Sequence, residues 1–169
     1  MILSAYLFNT DLDSVAIVWH KAKGKVKIKE IIISSPKYSA EQSLLVRYPD
    51  STFSLSKEIE LLAEKIKRYC KGEKESFSLE LYDFTEIKKF RKDVYLTLYE
   101  TKRGEKISYG ELALRAGYPG AARAVGTAMK NNPFPFVIPC HRVIKSDGSI
   151  GGFFGAEEMK EKLLKMEEK

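Results

Sequence analysis

Apolar segments near the start of the chain predict β-strands. Residues 2–8 and 15–19 are mainly apolar, and residues 26–33 alternate before an apolar run that a Ser-Ser-Pro sequence ends. Residues 77–82 fit one further strand. These short segments with turn residues between them indicate a sheet in the first third of the chain.

One helix is predicted among these strands. Ser56 suits its N-cap and Gly72 lies just past its end. Its apolar side chains recur at helical spacing and form one stripe, made of Ile59, Leu62, Ala63, Ile66 and Cys70. Because Cys70 belongs to that stripe, we interpret it as a small buried apolar side chain. The sheet and this helix predict a small α/β unit without candidate catalytic residues.

Helical spacing replaces the strand pattern from about residue 85. Ile87, Phe90, Val94 and Leu98 recur every three or four residues, which predicts an amphipathic helix that ends near residues 102–104. The second half of the chain is therefore expected to be mostly helical.

A pair of short helices is predicted next. Ser108 and Glu111 have the spacing of a capping box, which opens a helix that runs to Ala116. Pro119 suits the first turn of a second helix over residues 120–130. Two short helices with a tight connection describe a helix-turn-helix, whose second helix usually contacts DNA.

Small residues dominate this second helix. For most of them we expect close packing against the core; they are Ala121, Ala122, Ala124, Gly126 and Ala128. Arg123 is a long cation on such a face, so it is expected to reach outward.

A hairpin and a last helix complete the pattern. Asp147-Gly148 predicts a hairpin turn between residues 143–145 and Ile150, at the position where a winged helix carries its wing. The last helix is expected to start at about Ala156, with apolar side chains at Met159, Leu163 and Met166.

The excess positive charge lies in one part of the chain. The formal net charge is +6; residues 85–155 carry 12 basic and 6 acidic side chains, whereas residues 1–84 and 156–169 contribute +1 and −1. This distribution suggests a surface that binds a polyanion. A solvated, lysine-rich surface fits the charge alone equally well.

Composition excludes several classes of protein. No segment approaches the roughly 18–20 apolar residues of a membrane span, and the N-terminus lacks the basic start of a secretory signal. Two cysteines, Cys70 and Cys140, do not make a disulfide framework, which favours a reducing, cytoplasmic location.

The segment 131–143 is the candidate chemical centre. Pro133, Pro135 and Pro139 restrict the backbone, and Cys140 follows them directly, next to His141 and Arg142. Cysteine reacts as the thiolate, and a nearby positive charge or base is expected to lower the pKa of the Cys140 thiol. An isolated cysteine is usually a buried apolar residue, but this neighbourhood favours a nucleophile.

Four motifs of the second half closely resemble the O6-alkylguanine-DNA alkyltransferases. They are Ser108-Tyr109-Gly110, the sequence AARAVG over residues 121–126, Asn132-Pro133 and the sequence PCHRV over residues 139–143. The resemblance covers residues 90–168. It implies an α+β fold of two domains: a ribonuclease-H-like α/β domain over residues 1–84, and a mostly helical domain of the winged helix-turn-helix type over residues 85–169.

The resemblance also implies a reaction. An alkyl group on O6 of guanine is transferred to Cys140 after the damaged nucleotide is rotated out of the duplex. Arg123 matches the intercalating arginine, although a phosphate contact is an alternative for it. His141 would take the thiol proton through a water molecule, and Glu167 would orient His141.

Further site residues follow from the same match. Asn132 would hold the active-site loop, Tyr109 would donate a proton or hydrogen bond to the departing base, and Lys160 would polarise Cys140 or hold the Tyr109 network. As isolated residues, Lys160 and Glu167 would be a solvated surface pair. The other expected DNA contacts are Ala122, Tyr109, Gly126 and Lys130, and the expected pocket residues are Met129, Val143, Phe153 and Phe154.

The implied chemistry is stoichiometric. A thioether on Cys140 is stable and no residue is an obvious agent to remove it, so one transfer per molecule is expected. No cofactor and no metal are expected, because Cys70 lies on a helix stripe and His20 is the only other histidine. The expected partner is double-stranded DNA that contains O6-alkylguanine, with no membrane and no stable protein partner, and the chain is expected to act as a monomer.

One departure and three alternatives stay open. Phe153-Phe154 stands where relatives often carry Tyr-Ser, which leaves the accepted alkyl size undetermined. The alternatives are a non-enzymatic binder of alkylated DNA, against which Cys140 argues, a cysteine hydrolase that uses Cys140, His141 and Glu167, and a winged-helix regulator with a redox cysteine.

Overall fold

A four-stranded sheet forms from the apolar segments at the start of the chain. β1 (Ser4–Asn9), β2 (Ser14–Ala22) and β3 (Lys25–Ile33) are antiparallel neighbours, and β4 (Thr52–Phe53) pairs parallel with β1 at the edge. In the inner strand β2 the six consecutive residues 15–20 are buried, as expected of a strand covered on both faces. The three strand predictions are confirmed, with ends shifted by up to three residues.

Two helices accompany this sheet. α2 (Lys57–Cys70) starts after Ser56, whose side chain accepts a hydrogen bond from the Ile59 amide at 3.3 Å, as predicted. α1 (Ala40–Arg47) was not predicted; Ser39 caps it through a reciprocal hydrogen-bonded pair with Gln42.

The strand predicted over residues 77–82 is wrong. Only Tyr82 bridges to Ile28 in β3. The Tyr82 amide donates to the Leu79 carbonyl at 3.1 Å, so the backbone turns there and does not continue along the sheet.

The second half of the chain is mostly helical. The structure, a computed structural model, describes residues 1–169 as two compact units, Met1–Asp83 and Phe84–Lys169, in a mixed α+β fold. None of its helices is long and apolar enough to span a membrane. The second unit consists of α3 (Lys89–Tyr99), β5 (Ile107–Ser108), α4 (Tyr109–Arg115), α5 (Ala122–Lys130), β6 (Val143–Ile144) and α6 (Glu157–Glu167).

Three helix boundaries differ from the predicted ones. α3 starts at Lys89 rather than near residue 85 and ends at Tyr99, before residues 102–104. α5 starts at Ala122 rather than at Gly120, because Gly120 has φ +82°, a left-handed conformation that a right-handed helix excludes.

The predicted capping box is one-sided. Ser108 accepts a hydrogen bond from the Glu111 amide at 3.1 Å, but the Glu111 carboxylate binds Arg115 instead of returning to Ser108. α4 then ends as predicted, with Ala116 as its C-cap and Gly117 at φ +88°.

The predicted hairpin is correct in its turn and wrong in its strands. The Gly148 amide donates to the Lys145 carbonyl at 3.0 Å, and Asp147 accepts from the Ser149 amide at 2.9 Å. β6, however, pairs parallel with β5, and Ile150 lies outside any strand. The parallel pair joins the start of α4 to the chain that follows Arg142.

Polar contacts fix the pair of helices α4 and α5 on α3. The Tyr95 hydroxyl donates to the Ala128 carbonyl of α5 at 2.8 Å. In the turn between α4 and α5, Tyr118 stacks edge-on against Phe90 with ring centroids 4.8 Å apart and donates to Asp93 at 2.6 Å. The position of α5 is therefore set from both of its ends.

Candidate active site

A rigid loop leads from α5 to Cys140. Asn132 is buried within it; its Nδ2 donates to the Ile138 carbonyl at 2.9 Å and its Oδ1 accepts from the Phe134 amide at 3.0 Å. Phe136 has φ +71°, a conformation rare for a side chain of this size. One amide side chain thus ties both ends of the proline-rich segment together.

A single 3₁₀ turn, Cys140–Arg142, places three adjacent side chains in three different environments. Cys140 is 2% exposed and lies at the wall of a pocket, and the His141 side chain is fully enclosed. Arg142 is 8% exposed and points to the end of α6.

Glu167 joins His141 and Arg142. Its Oε1 lies 3.0 Å from Nε2 of His141, and Arg142 donates to both carboxylate oxygens, at 2.8 and 2.9 Å. The Gly104 amide donates to Oε2 at 3.1 Å, and Arg142 also donates to the Thr101 carbonyl at 2.6 Å. Several hydrogen-bond donors hold this buried carboxylate in a fixed position.

Burial of His141 lowers its pKa, and the hydrogen bond and charge of Glu167 oppose this only in part. The imidazole is therefore neutral at pH 7. A neutral ring that donates from Nε2 to Glu167 has its Nδ1 lone pair available as a base, and the carboxylate stabilises the ring once it is protonated.

The expectation of a lowered thiol pKa is wrong for the resting molecule. Burial raises the pKa of Cys140 to about 11, which outweighs the hydrogen bond from Asn132 and the positive charge of Lys160. Arg142, the neighbouring cation in the sequence, is engaged with Glu167 and Thr101 instead. Cys140 at rest is a neutral thiol.

Lys160 and Glu167 do not form the solvated surface pair that they would be as isolated residues. The Lys160 side chain is fully buried, and its Nζ donates to the carbonyls of Val143 at 2.6 Å and of Gly152 at 3.3 Å. Burial lowers the pKa of Lys160 to about 8, although the Cys140 thiolate would raise it. Lys160 joins β6 to the loop at Gly152, within electrostatic reach of Cys140.

An open pocket of about 360 Å³ lies in front of Cys140. Its walls combine apolar side chains with the Tyr109 ring and two charged residues. The residues that line it are Tyr109, Gly126, Met129, Lys130, Cys140, Gly152, Phe153, Phe154, Gly155 and Glu157. Of the four expected pocket residues, Met129, Phe153 and Phe154 line it, whereas Val143 is fully buried in β6 and does not.

Tyr109 forms one side of this pocket, and its side chain lies close to the backbone at Gly151 and Gly126. A Cβ atom on Gly151 would lie 2.8 Å from the Tyr109 hydroxyl, and one on Gly126 would lie 3.9 Å from its ring. Burial and the nearby Cys140 raise the pKa of Tyr109, so the phenol keeps its proton. The hydroxyl is placed as a donor.

α5 carries four of the five residues expected to contact DNA and part of the pocket wall, whereas the fifth, Tyr109, begins α4. Arg123 and Lys130 are exposed, and Ala122 and Gly126 are half-buried. The packing expected of the small residues holds for Ala128, which is fully buried. It is wrong for Ala124, which is exposed.

Some residues of the site carried no signal in the sequence. Thr101 and Gly104 belong to a turn that follows α3, where the pattern predicts the end of a helix, and Gly104 has φ +79°. Glu157 resembles any charged residue at the start of a surface helix, yet it lines the pocket.

The first unit holds no comparable centre. Burial raises the pKa of Cys70 to about 11, and its thiol is 4% exposed. His20 lies 3.0 Å from Asp83, and no group of three or more His, Cys, Asp or Glu side chains is arranged to hold a metal ion.

Comparison with known sequences matches the second unit to one family. Residues 89–169 match the family described as the DNA binding domain of 6-O-methylguanine DNA methyltransferase. A protein of Methanothermobacter thermautotrophicus named methylated-DNA–protein-cysteine methyltransferase is 39% identical over 64% of this chain and 61% of its own length. One of the same name from Methanosarcina acetivorans is 37% identical over 72% of this chain and 77% of its own length.

Solved structures match nearly the whole chain. The O6-methylguanine methyltransferase of Mycobacterium tuberculosis superposes with a TM-score of 0.79 at 26% identity, over 98% of this chain and 93% of that one. A structure of that organism's protein in complex with DNA gives a TM-score of 0.76. The O6-methylguanine-DNA methyltransferase of Pyrococcus kodakaraensis gives 0.69 at 27% identity, over 98% and 99% of the two chains.

Proposed function

The chain belongs to the methylated-DNA–protein-cysteine methyltransferase family, and we propose that it repairs DNA directly by moving the alkyl group from O6 of guanine onto Cys140. One observation carries the proposal: Cys140 lies at the wall of a pocket, next to a buried histidine that a carboxylate holds at 3.0 Å. The family relationship supplies the substrate.

The residues can perform each step of the transfer. His141 accepts the thiol proton through a water molecule, and Glu167 stabilises the resulting imidazolium. The thiolate sulfur attacks the alkyl carbon in line, so that a C–S bond forms as the C–O6 bond breaks and its electrons go to the guanine. Tyr109 donates a hydrogen bond or proton to the departing base, which makes it a better leaving group.

Substrate binding is what activates the thiol in this scheme. Because burial keeps the Cys140 pKa near 11, the proton must leave as the reaction occurs, and Lys160 and Asn132 then stabilise the negative sulfur. The product is a stable thioether, so each molecule reacts once.

The second unit would deliver the nucleotide. We assign residues 85–169 as a domain of the winged helix-turn-helix type and residues 1–84 as a ribonuclease-H-like domain. α5 lies against the duplex, and Arg123 takes the place of the extruded nucleotide. The support is that α5 carries an exposed arginine and, one to two turns on, the pocket residues Gly126 and Met129. The protein would act as a monomer on double-stranded DNA.

Transfer of label from DNA to protein tests the reaction. The protein is incubated with a duplex that contains O6-[³H-methyl]guanine, and label per mole of chain is counted. We expect about one label per chain, none for Cys140→Ala, and an unchanged yield for Cys70→Ala, the matched thiol outside the site. No transfer by the wild type would leave the non-enzymatic binder as the better account, and continued turnover would indicate a hydrolase.

Comparison of two substrates tests nucleotide flipping. Arg123→Ala should react with free O6-benzylguanine at a near-normal rate and with the modified duplex much more slowly, because only the duplex requires extrusion of the nucleotide. Rates are measured from the mass gain of the intact protein. Equal slowing on both substrates would remove the flipping role from Arg123.

A further inference from the structure

Glu157 places a carboxylate in the lining of the Cys140 pocket. It is the first residue of α6, and its Oε1 lies 3.8 Å from the position that a Cβ would take on Gly152, another lining residue. The carbonyl of Gly152 in turn accepts from Lys160 at 3.3 Å. The carboxylate of Glu157 therefore lies next to the segment of the pocket wall that Lys160 holds in place.

No hydrogen bond or ion pair neutralises Glu157 in the structure. Its neighbour Glu158 pairs with Lys162 at 2.9 Å, and Glu168 pairs with Lys106 at 2.8 Å. Lys130, the second charged lining residue, makes no ion pair with Glu157 either. The negative charge of Glu157 does act inside the site, since it raises the pKa of Lys160 against the effect of burial.

The apolar part of the wall cannot compensate for a charge on the substrate. Met129, Phe153 and Phe154 offer no hydrogen-bonding group from their side chains, and apolar walls strengthen the interaction between charges at the pocket. Without Glu157, the charged side chains in and behind this wall would be Lys130 and Lys160, both cationic.

We propose that Glu157 selects O6 substituents by charge, in favour of neutral and cationic groups and against anionic ones. This inference rests on the proposed function. Small neutral alkyl groups are indifferent to Glu157, whereas a carboxylate on the substituent is repelled by it. Removal of the Glu157 charge leaves only the positive charges of Lys130 and Lys160, and it should reverse the preference between cationic and anionic substituents.

Free O6-benzylguanines with different para substituents test this without DNA. Rates of Cys140 benzylation are measured by intact-protein mass for the unsubstituted, aminomethyl and carboxyl compounds, and the rate of each charged compound is divided by that of the neutral one. The ratio removes any general effect of a mutation on the thiol. Glu157→Gln should raise the carboxyl ratio about threefold to fivefold and lower the aminomethyl ratio by a similar factor, because the side chain is exposed and partly screened.

Glu158→Gln is the matched control, because it removes the same charge one residue further along α6, outside the pocket lining. It should leave both ratios unchanged. Ratios that do not move in Glu157→Gln, or that move equally in Glu158→Gln, would overturn the charge selection while transfer itself continues. Absence of transfer from all three compounds to a wild type that still accepts label from the methylated duplex would overturn this inference alone, and absence of both reactions would overturn the proposed function with it.

Discussion

Lys160 is a fully buried lysine whose ammonium group donates only to backbone carbonyls. A lysine without exposed surface is rare, and a carbonyl is a weaker partner for an ammonium group than a carboxylate. Burial lowers its pKa to about 8 from the ordinary 10.5, so the folded chain holds this proton less tightly than the unfolded chain. The charge of Lys160 therefore destabilises the fold at neutral pH and is retained in spite of that cost.

The pH dependence of stability should reveal this cost. Between pH 8 and 10.5 the unfolded chain binds more protons at this position, so the free energy of unfolding rises with pH. We compare Cys140→Ser with Cys140→Ser/Lys160→Met by urea unfolding, so that the Cys140 thiol does not titrate. The stability difference between them should shift by about 2 kcal/mol in favour of the lysine chain from about pH 7.5 to 10. Parallel curves would contradict the lowered pKa.

Single residues divide into those that the sequence made predictable and those that it did not. Cys140 and His141 stood out because reactive side chains follow three prolines. The direction in which the pKa of the Cys140 thiol shifts was not predictable. Desolvation depends on the atoms packed around the sulfur in the fold and not on its neighbours in the chain. The link from Arg142 to Glu167 spans 25 residues and depends on how α6 ends.

At the scale of elements, the loop between β6 and α6 supplies four residues to the pocket wall, Gly152, Phe153, Phe154 and Gly155. Gly151 in this loop has φ +69°, and a Cβ there would lie 2.8 Å from the Tyr109 hydroxyl. Gly148 has a similar φ of +87° with no atom within 4 Å of its Cβ position. The two glycines thus share a backbone constraint and differ in what they face.

Alanine substitutions at Gly151 and Gly148 should separate the effect of backbone strain from the effect of contact with Tyr109. Gly151→Ala and Gly148→Ala should each lose about 1 kcal/mol of stability from the left-handed backbone. Only Gly151→Ala displaces Tyr109, so only this variant should react much more slowly with free O6-benzylguanine. Equal rates in the two variants would mean that the position of Tyr109 does not limit transfer.

Elements with a regular pattern were predictable, and irregular ones were not. α2 shows a clear apolar stripe between Ser56 and Gly72. α1 lacks one, because Leu45 and Val46 are 52% and 77% exposed beside the buried Leu44, which blurs the periodicity. β4 and β6 contain two residues each, too few to show alternation, and depend on their partner strands.

At the scale of the whole molecule, positive charge is concentrated in the part of the chain that contains α4 and α5. Residues 85–155 carry 12 basic and 6 acidic side chains, and Arg123 and Lys130 are exposed on α5. Charge contacts to a duplex release counterions, so they weaken as salt increases. A free base in the pocket makes no such contacts.

Salt concentration should therefore change the reaction rate with modified duplex and leave the rate with the free base almost unchanged. At protein concentrations below saturation, the rate with modified duplex should fall at least about tenfold between roughly 50 and 200 mM NaCl. The rate with free O6-benzylguanine should change little over the same range. Equal salt sensitivity would show that the charge distribution serves stability rather than DNA binding.

The raised pKa of Cys140 also governs how long an unused molecule lasts. At pH 7 about one thiol in ten thousand is ionised when the pKa is about 11, and the side chain is 2% exposed. Oxidants and stray electrophiles consume thiolates that they can reach, so this cysteine offers them little. Under the proposed single transfer, the burial that makes the thiol depend on the substrate for activation also protects Cys140 from oxidation before the reaction.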